Sequence, residues 1–154
     1  MTDREKETEI LGAVMKGYTT GIFDDMFAFM ADDYEHASFW VIEVIRGIED
    51  ARDYYTGKGN AIRTGGASVH GEYVKIISAP SEVRPKGVYR NGVKVKEDPV
   101  FLNRKDEGKT AVLFSQMIRG EEIKTLAVPT YDDDGKLRQL LITEPAYYGL
   151  EQTV

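Results

Sequence analysis

The order in which apolar periods follow one another is what most narrows the fold of this chain. Up to the Gly65-Gly66 pair the apolar residues recur chiefly at helical spacing, and from Val69 onward the pattern is β to the end. Helices first and a long antiparallel run afterwards predict an α+β domain with its helices on one side of the sheet. Long strands twist and coil. A strongly curved, mainly antiparallel sheet with the N-terminal helices in its concave face is therefore expected, forming a cone with an internal pocket. At 154 residues the chain fits a single domain spanning 1–154.

The local patterns fill in this outline. Thr2-Asp-Arg-Glu5 has the form of a capping box, and Ile10, Leu11, Val14, Met15 and Tyr18 follow at helical spacing, so a first helix is predicted over about 3–17. Phe23, Met26, Phe27 and Met30 predict a second helix that ends at Asp32-Asp33. In "YEHASFW" a period of two places Tyr34, His36, Ser38 and Trp40 on one face and Glu35, Ala37 and Phe39 on the other. A short strand over 41–46 and a third helix after Gly47, fraying near Gly57 and Gly59, complete the first part. Strands are predicted over 69–79, 110–118, 122–131 and 137–143, with Asn91-Gly92 as a hairpin turn. The "DDDG" turn at 132–135 lacks the glycine and glutamate positions of an EF-hand loop and reads as a hairpin.

Composition excludes several classes. No apolar run reaches the ~18–20 residues of a membrane span, so no membrane partner is expected. The charged start "MTDREKETEI" lacks a signal segment, and the absence of cysteine rules out disulfides and thiolate metal sites. Both fit a cytoplasmic protein. A net charge of −6 speaks against a nucleic-acid partner. Residues 84–109 carry eight Lys/Arg against four Asp/Glu, which reads as a solvated hairpin edge guarded by lysine rather than an anion site. No phosphate-binding glycine loop, nucleophile elbow or H-E-x-x-H spacing is present, so neither a cofactor nor a metal is expected.

The stretches "GIFDDMFAFMADDYEHASFW" and "IRGIEDARDYY" resemble the nuclear transport factor 2-like superfamily, also called cystatin-like, which includes ketosteroid isomerase, SnoaL-type polyketide cyclases and scytalone dehydratase. The resemblance is carried by residues of about 10–60; beyond them it is topological, and the hairpin over about 84–98 looks like an insertion. It implies the cone fold and leaves the activity open, because this fold hosts isomerases, cyclases, dehydratases and non-catalytic modules. Aligned on Asp32-Asp33, the isomerase's base falls at Ser38 and its oxyanion tyrosine at Val14, which argues against that steroid chemistry. The dehydratase-like members place histidines and tyrosines in the pocket, and both histidines of this chain, His36 and His70, fall where such a pocket is expected.

Those two imidazoles are the candidate catalytic residues, because a group titrating near neutrality can both take and give a proton. Tyr18, Tyr54, Tyr73 and Tyr131 are candidates for polarising a carbonyl, and Asp24 or Asp25 for orienting a histidine. Ser38, Trp40, Phe114 and Met117 complete the expected ligand-binding lining. The bland readings stand beside these: a core imidazole bonded to a carbonyl, a buried tryptophan, an exposed His70. The expected function is a small-molecule-binding protein with a pocket for an apolar, ring-containing metabolite, open between a cofactor-free lyase or isomerase using histidine acid–base chemistry and a non-catalytic binding or dimerisation module. In "TAVLFSQMI" both faces look buried, which suggests a homodimer packed sheet to sheet.

Overall fold

A computed structural model of the chain describes residues 3–38, 43–65, 68–82, 88–90, 93–95 and 104–152. The element order is α1 (Asp3–Thr20), α2 (Asp24–Phe27), β1 (Met30–Ser38), β2 (Glu43–Arg46), α3 (Ile48–Gly65), β3 (Val69–Ser78), β4 (Val88–Arg90), β5 (Val93–Val95), β6 (Thr110–Ile118), β7 (Glu121–Tyr131), β8 (Leu137–Thr143), a 3-10 turn (Pro145–Tyr147) and β9 (Gly149–Gln152). Among the described residues all nine strands join one sheet in the order β5-β4-β2-β1-β8-β7-β6-β3-β9. Pairing is antiparallel except where β1 meets β8 and β2 meets β4. The result is the expected α+β cone: helices lie on one face of a curved sheet whose middle strands are its longest.

Three boundaries differ from the sequence expectation. Helix α1 runs through Gly17 to Thr20. A Cβ at Gly17 would lie 2.3 Å from the Phe23 ring, so this glycine admits the ring rather than interrupting the helix. The helix stops at Gly21, whose φ of +82° only glycine adopts at no cost. The second helix is one turn long, and the chain is already extended at Met30, so Asp32-Asp33 lie inside a strand. The physical reason is pairing: the Leu137 N–H donates to the Phe29 carbonyl at 2.8 Å, and Met30 aligns with Leu137. One helical turn followed by a strand still buries Met26, Met30 and Tyr34 together. The third helix continues through Gly57 and Gly59 to Gly65. Gly59 packs on the end of α1, where a Cβ would stand 2.2 Å from the Gly21 carbonyl oxygen.

The sheet buries both faces. Its helix-facing side joins Ile10, Val14, Phe23, Tyr34, Tyr55, Phe114 and Leu140 into the main core. The opposite side buries Ala37, Val44, Val74, Ile76, Leu126, Val128 and Leu141 with Tyr148. Of the residues in "TAVLFSQMI" that prompted a sheet-to-sheet dimer, Ala111 is covered by the chain itself, while Met117 and Ile118 are exposed. A polar seam crosses this outer face. Arg46 pairs with Glu35 at 3.0 Å, the Gln139 amide donates to Glu35 at 2.6 Å, and Arg104 donates to Gln139 at 2.6 Å and to Asp106 at 2.7 Å. Lys109 closes the seam on Asp106 at 2.7 Å and also donates to the Pro129 carbonyl at 2.8 Å. Arg104 and Lys109, part of the basic stretch, thus serve the fold.

Of the expected 84–98 hairpin, β4 and β5 are described and pair antiparallel, with Arg90 opposite Val93. The Asn91-Gly92 turn itself lies outside the described residues, as do Thr2 of the capping box and Trp40. The 132–135 segment is a hairpin turn: the Asp132 carboxylate accepts from the backbone N–H groups of Asp134 and Lys136, both at 2.9 Å. No helix among the described residues is long and apolar enough to cross a membrane.

Candidate functional site

Between α3, the end of α1 and the concave side of the sheet lies a cavity of about 250 Å³. Strand alternation brings Ser38 of β1, Phe114 and Gln116 of β6, Thr125 of β7 and Ile142 of β8 to its wall. Helix α1 contributes Tyr18, and α3 contributes Tyr54, Lys58, Ala61 and Ile62. Tyr54, Lys58 and Ile62 are four residues apart, so they form one stripe along that helix. The Tyr18 and Phe114 rings meet with centroids 5.0 Å apart and make the deep apolar side.

Behind this wall is a hydrogen-bonded chain of three buried side chains. The Tyr34 and Tyr55 hydroxyls are 2.6 Å apart, and His36 Nδ1 lies 2.8 Å from the same Tyr55 hydroxyl. His36 also stacks on Tyr54, with centroids 4.5 Å apart. Burial, and after it the Lys58 ammonium, push the imidazole down to about 3, so the ring is neutral at physiological pH. Burial likewise raises all three phenols Tyr18, Tyr34 and Tyr55 well above their ordinary value, and they stay protonated.

Counting protons assigns the direction of this chain. If Tyr34 donates to Tyr55 and Tyr55 donates to Nδ1, every hydroxyl proton is used and only Nε2–H is left over. The reverse direction strands both the Tyr34 proton and the Nε2 lone pair. The first arrangement leaves fewer buried groups unsatisfied, each of which costs ~1–3 kcal/mol, and it makes Nε2 a donor. Nε2 has no partner, and the buried Tyr18 hydroxyl at the cavity wall makes no hydrogen bond of ordinary length, although the Tyr55 hydroxyl is close enough to act on it.

The expected site residues divide accordingly. Tyr18, Ser38, Tyr54 and Phe114 line the cavity, and His36 sits directly behind Tyr54. His70 does not join it. It is exposed on β3, its ring facing Ser68 at 3.5 Å, while its neighbours Val69 and Gly71 turn toward the helices. The expectation that both imidazoles face one hollow is thus corrected by strand parity: His70 belongs to the alternate set. Met117 falls on the same outer face and is 60% exposed. Tyr73 packs inward but against α1, where a Cβ on Gly12 would lie 3.7 Å from its hydroxyl. Tyr131 is half-buried beside the 132–135 turn and Glu7, at the other end of α1. Asp24 and Asp25 are exposed and Asp25 pairs with Lys16 at 2.9 Å, so Tyr55 holds His36 instead. No cluster of three or more metal-ligating side chains occurs among the described residues.

Reasoning from the sequence missed Lys58, Ile62, Gln116, Thr125 and the Tyr34–Tyr55 pair. The signal for the first two was the spacing Tyr54–Lys58–Ile62, hidden by the assumption that α3 frays at its glycines.

No protein-family model matches the chain, and no curated protein matches it in sequence. Similarity appears in three dimensions. A cystatin-like protein of unknown function from Methylobium petroleophilum PM1 superimposes with a TM-score of 0.54 at 12% identity, covering 97% of this chain and 80% of that one. A SnoaL-like protein of unknown function from Burkholderia thailandensis E264 gives 0.53 at 12% identity, over 95% and 96% of the two chains. SalBIII, an epoxide hydrolase/cyclase-like enzyme of pyran ring formation in salinomycin, gives 0.52 at 14% identity over 98% and 100%. At such identities the likeness is one of backbone alone, and with the strand order and the helix-filled concave face it leads to one conclusion: this chain has the nuclear transport factor 2-like, cystatin-like fold.

Proposed function

We propose that the protein binds a small apolar, ring-containing molecule in the cavity between α3 and the concave sheet. The observation that carries this reading is the Tyr18 hydroxyl, buried at the wall of a recess of mixed apolar and polar lining and held by no hydrogen bond of ordinary length, with only the Tyr55 hydroxyl acting on it weakly. A core selected for stability alone would hold phenylalanine there, because an unmatched hydroxyl is costly to bury. A ligand with an oxygen acceptor satisfies it. Pockets of this kind combine apolar walls with a few convergent polar groups, and Ser38, Gln116 and Thr125 supply the others. SnoaL-like and cyclase-like proteins with this backbone lend the reading support by analogy.

Tyr18→Phe tests it. Against a panel of neutral and charged aromatic compounds, calorimetry on the wild type is expected to find binders whose affinity falls about tenfold in the variant, the worth of one buried hydrogen bond. Wild-type protein that binds nothing in the panel, while Ala61→Trp, which fills the recess, is equally inert and equally stable, counts against a ligand pocket.

A lyase or isomerase is the second reading, favoured by the Tyr34–Tyr55–His36 chain behind the wall. In that reading His36 acts as a neutral donor polarising a carbonyl, rather than as half of a two-histidine acid–base pair. Exchange of a bound carbonyl compound's α-protons with D2O, followed by NMR, separates it from simple binding. No exchange beyond the solvent rate leaves binding alone.

A further inference from the structure

One member of the cavity wall is out of keeping with the rest. Lys58 is the sole formally charged side chain among the described lining residues, it is only partly exposed, and no carboxylate shares the wall with it. Helical spacing gives it no partner. The residues three and four positions away are Tyr54, Tyr55, Ala61 and Ile62, while the acidic residues Glu49, Asp50 and Asp53 of α3 all lie toward its start. Among the described residues Lys58 makes no ion pair and donates no hydrogen bond to protein. Its neighbour His36 is neutral, so the ammonium is the one positive charge among the described lining residues, beside neutral polar and apolar groups only.

A lysine free to snorkel on a helix surface needs no partner. A lysine on the inward stripe between Tyr54 and Ile62 is partly buried with no anion beside it among the described lining residues, and an unpaired charge is disfavoured to the extent that it leaves water. The Tyr18 hydroxyl, protonated and held by no hydrogen bond of ordinary length, adds a second donor in the same wall. Two donors, one of them cationic, and no carboxylate make a recess complementary to an anion. A cavity of about 250 Å³ sits just below the ~300–1,000 Å³ usual for drug-sized ligands, so one ring is the fitting size.

We infer that the ligand is a monocyclic organic acid: an apolar ring carrying one carboxylate, its charge met by Lys58 and its body packed on Phe114, Ile62 and Ile142. This rests on the binding reading above and adds the sign of the ligand's charge. The overall charge of −6 repels anions at long range, so the preference has to arise within the cavity.

Calorimetric titration at pH 7.5 of the full chain with phenylacetate and benzoate, and with the neutral isosteres phenylacetamide and benzamide, decides it. The acids are expected to bind at least about tenfold tighter than their amides, as a charge-assisted bond implies. Lys58→Met is expected to abolish that preference, the affinities of acid and amide becoming equal, and Lys58→Arg to keep it. Equal binding of acid and amide by the wild type overturns the inference and leaves the binding reading standing, as does a preference that survives Lys58→Met. Binding of neither class overturns both. Should Lys58→Met not fold, the acid-against-amide comparison on the wild type decides alone.

Discussion

His36 Nδ1 lies 2.8 Å from the hydroxyl of Tyr55, nineteen residues away on the helix that closes the cone. This bond, rather than one to a carboxylate or a backbone carbonyl, orients the only imidazole buried in the core among the described residues. It follows from strand parity on β1 and the inward face of α3, and it sets up the first two predictions.

Tyr55→Phe is expected to destabilise the protein by about 1–3 kcal/mol, because it strands the Tyr34 O–H and the His36 Nδ1 lone pair together. Tyr34→Phe is expected to cost less, since Tyr55 then loses an accepted bond and keeps the one it donates. Urea unfolding of both variants checks the order. Comparable losses in the two variants would count against this direction, since a chain running from His36 toward Tyr34 leaves the Tyr55 O–H stranded in Tyr34→Phe.

The neutral buried imidazole makes stability depend on pH. Its folded value of about 3 lies below the unfolded ~6.5, so below pH 6.5 the unfolded chain binds the extra proton. Stability is full above pH 6.5 and is lost as pH falls toward 3. Linkage gives a loss of about 2 kcal/mol between pH 7 and pH 5. His36→Gln, measured by denaturant unfolding at both pH values, is expected to remove most of that difference.

Asp106 is 1% exposed and accepts from both Arg104 and Lys109. Burial alone would raise its carboxyl, and the hydrogen bonds and charges of those two cations outweigh it, leaving the group below its ordinary range. Asp106→Ala leaves two cations against the outer face without their anion, and a loss of about 3–5 kcal/mol is expected in thermal unfolding. The stabilisation holds above pH ~3.9 and fades as pH drops through the depressed folded value.

Two glycines of α3 are expected to respond in opposite directions. A Cβ at Gly57 meets nothing within 4 Å, so Gly57→Ala should stabilise by about 0.5–1 kcal/mol through reduced chain entropy. At Gly59 the same methyl would stand 2.2 Å from the Gly21 carbonyl oxygen. Overpacking costs of ~1–3 kcal/mol then exceed the helix gain, and Gly59→Ala should destabilise. Melting temperatures of the two variants side by side give the signs.

His70→Ala is expected to shift stability by less than about 0.5 kcal/mol, as surface substitutions do. It should leave ligand affinity untouched, in contrast to Tyr18→Phe. A loss of affinity in His70→Ala would show that the outer face takes part in binding.

The sequence by itself determined the cone. Helical spacing before Gly65 and a period of two after Val69 are local properties, and each survives into the structure because burial of one stripe or one face is satisfied by a single partner layer. The same local rule set Tyr34, His36 and Ser38 on one side of β1. Only the tertiary structure decided which of the alternating sets on β3 turns inward, and so removed His70 from the cavity: parity along a strand is legible, but its sign depends on pairing with β6 and β9. Only packing showed that the glycines of α3 belong to a helix, since Gly59 is explained by the Gly21 carbonyl beneath it. With that helix intact Lys58 comes round to the cavity wall, beside Tyr54 and Ile62 on the same stripe.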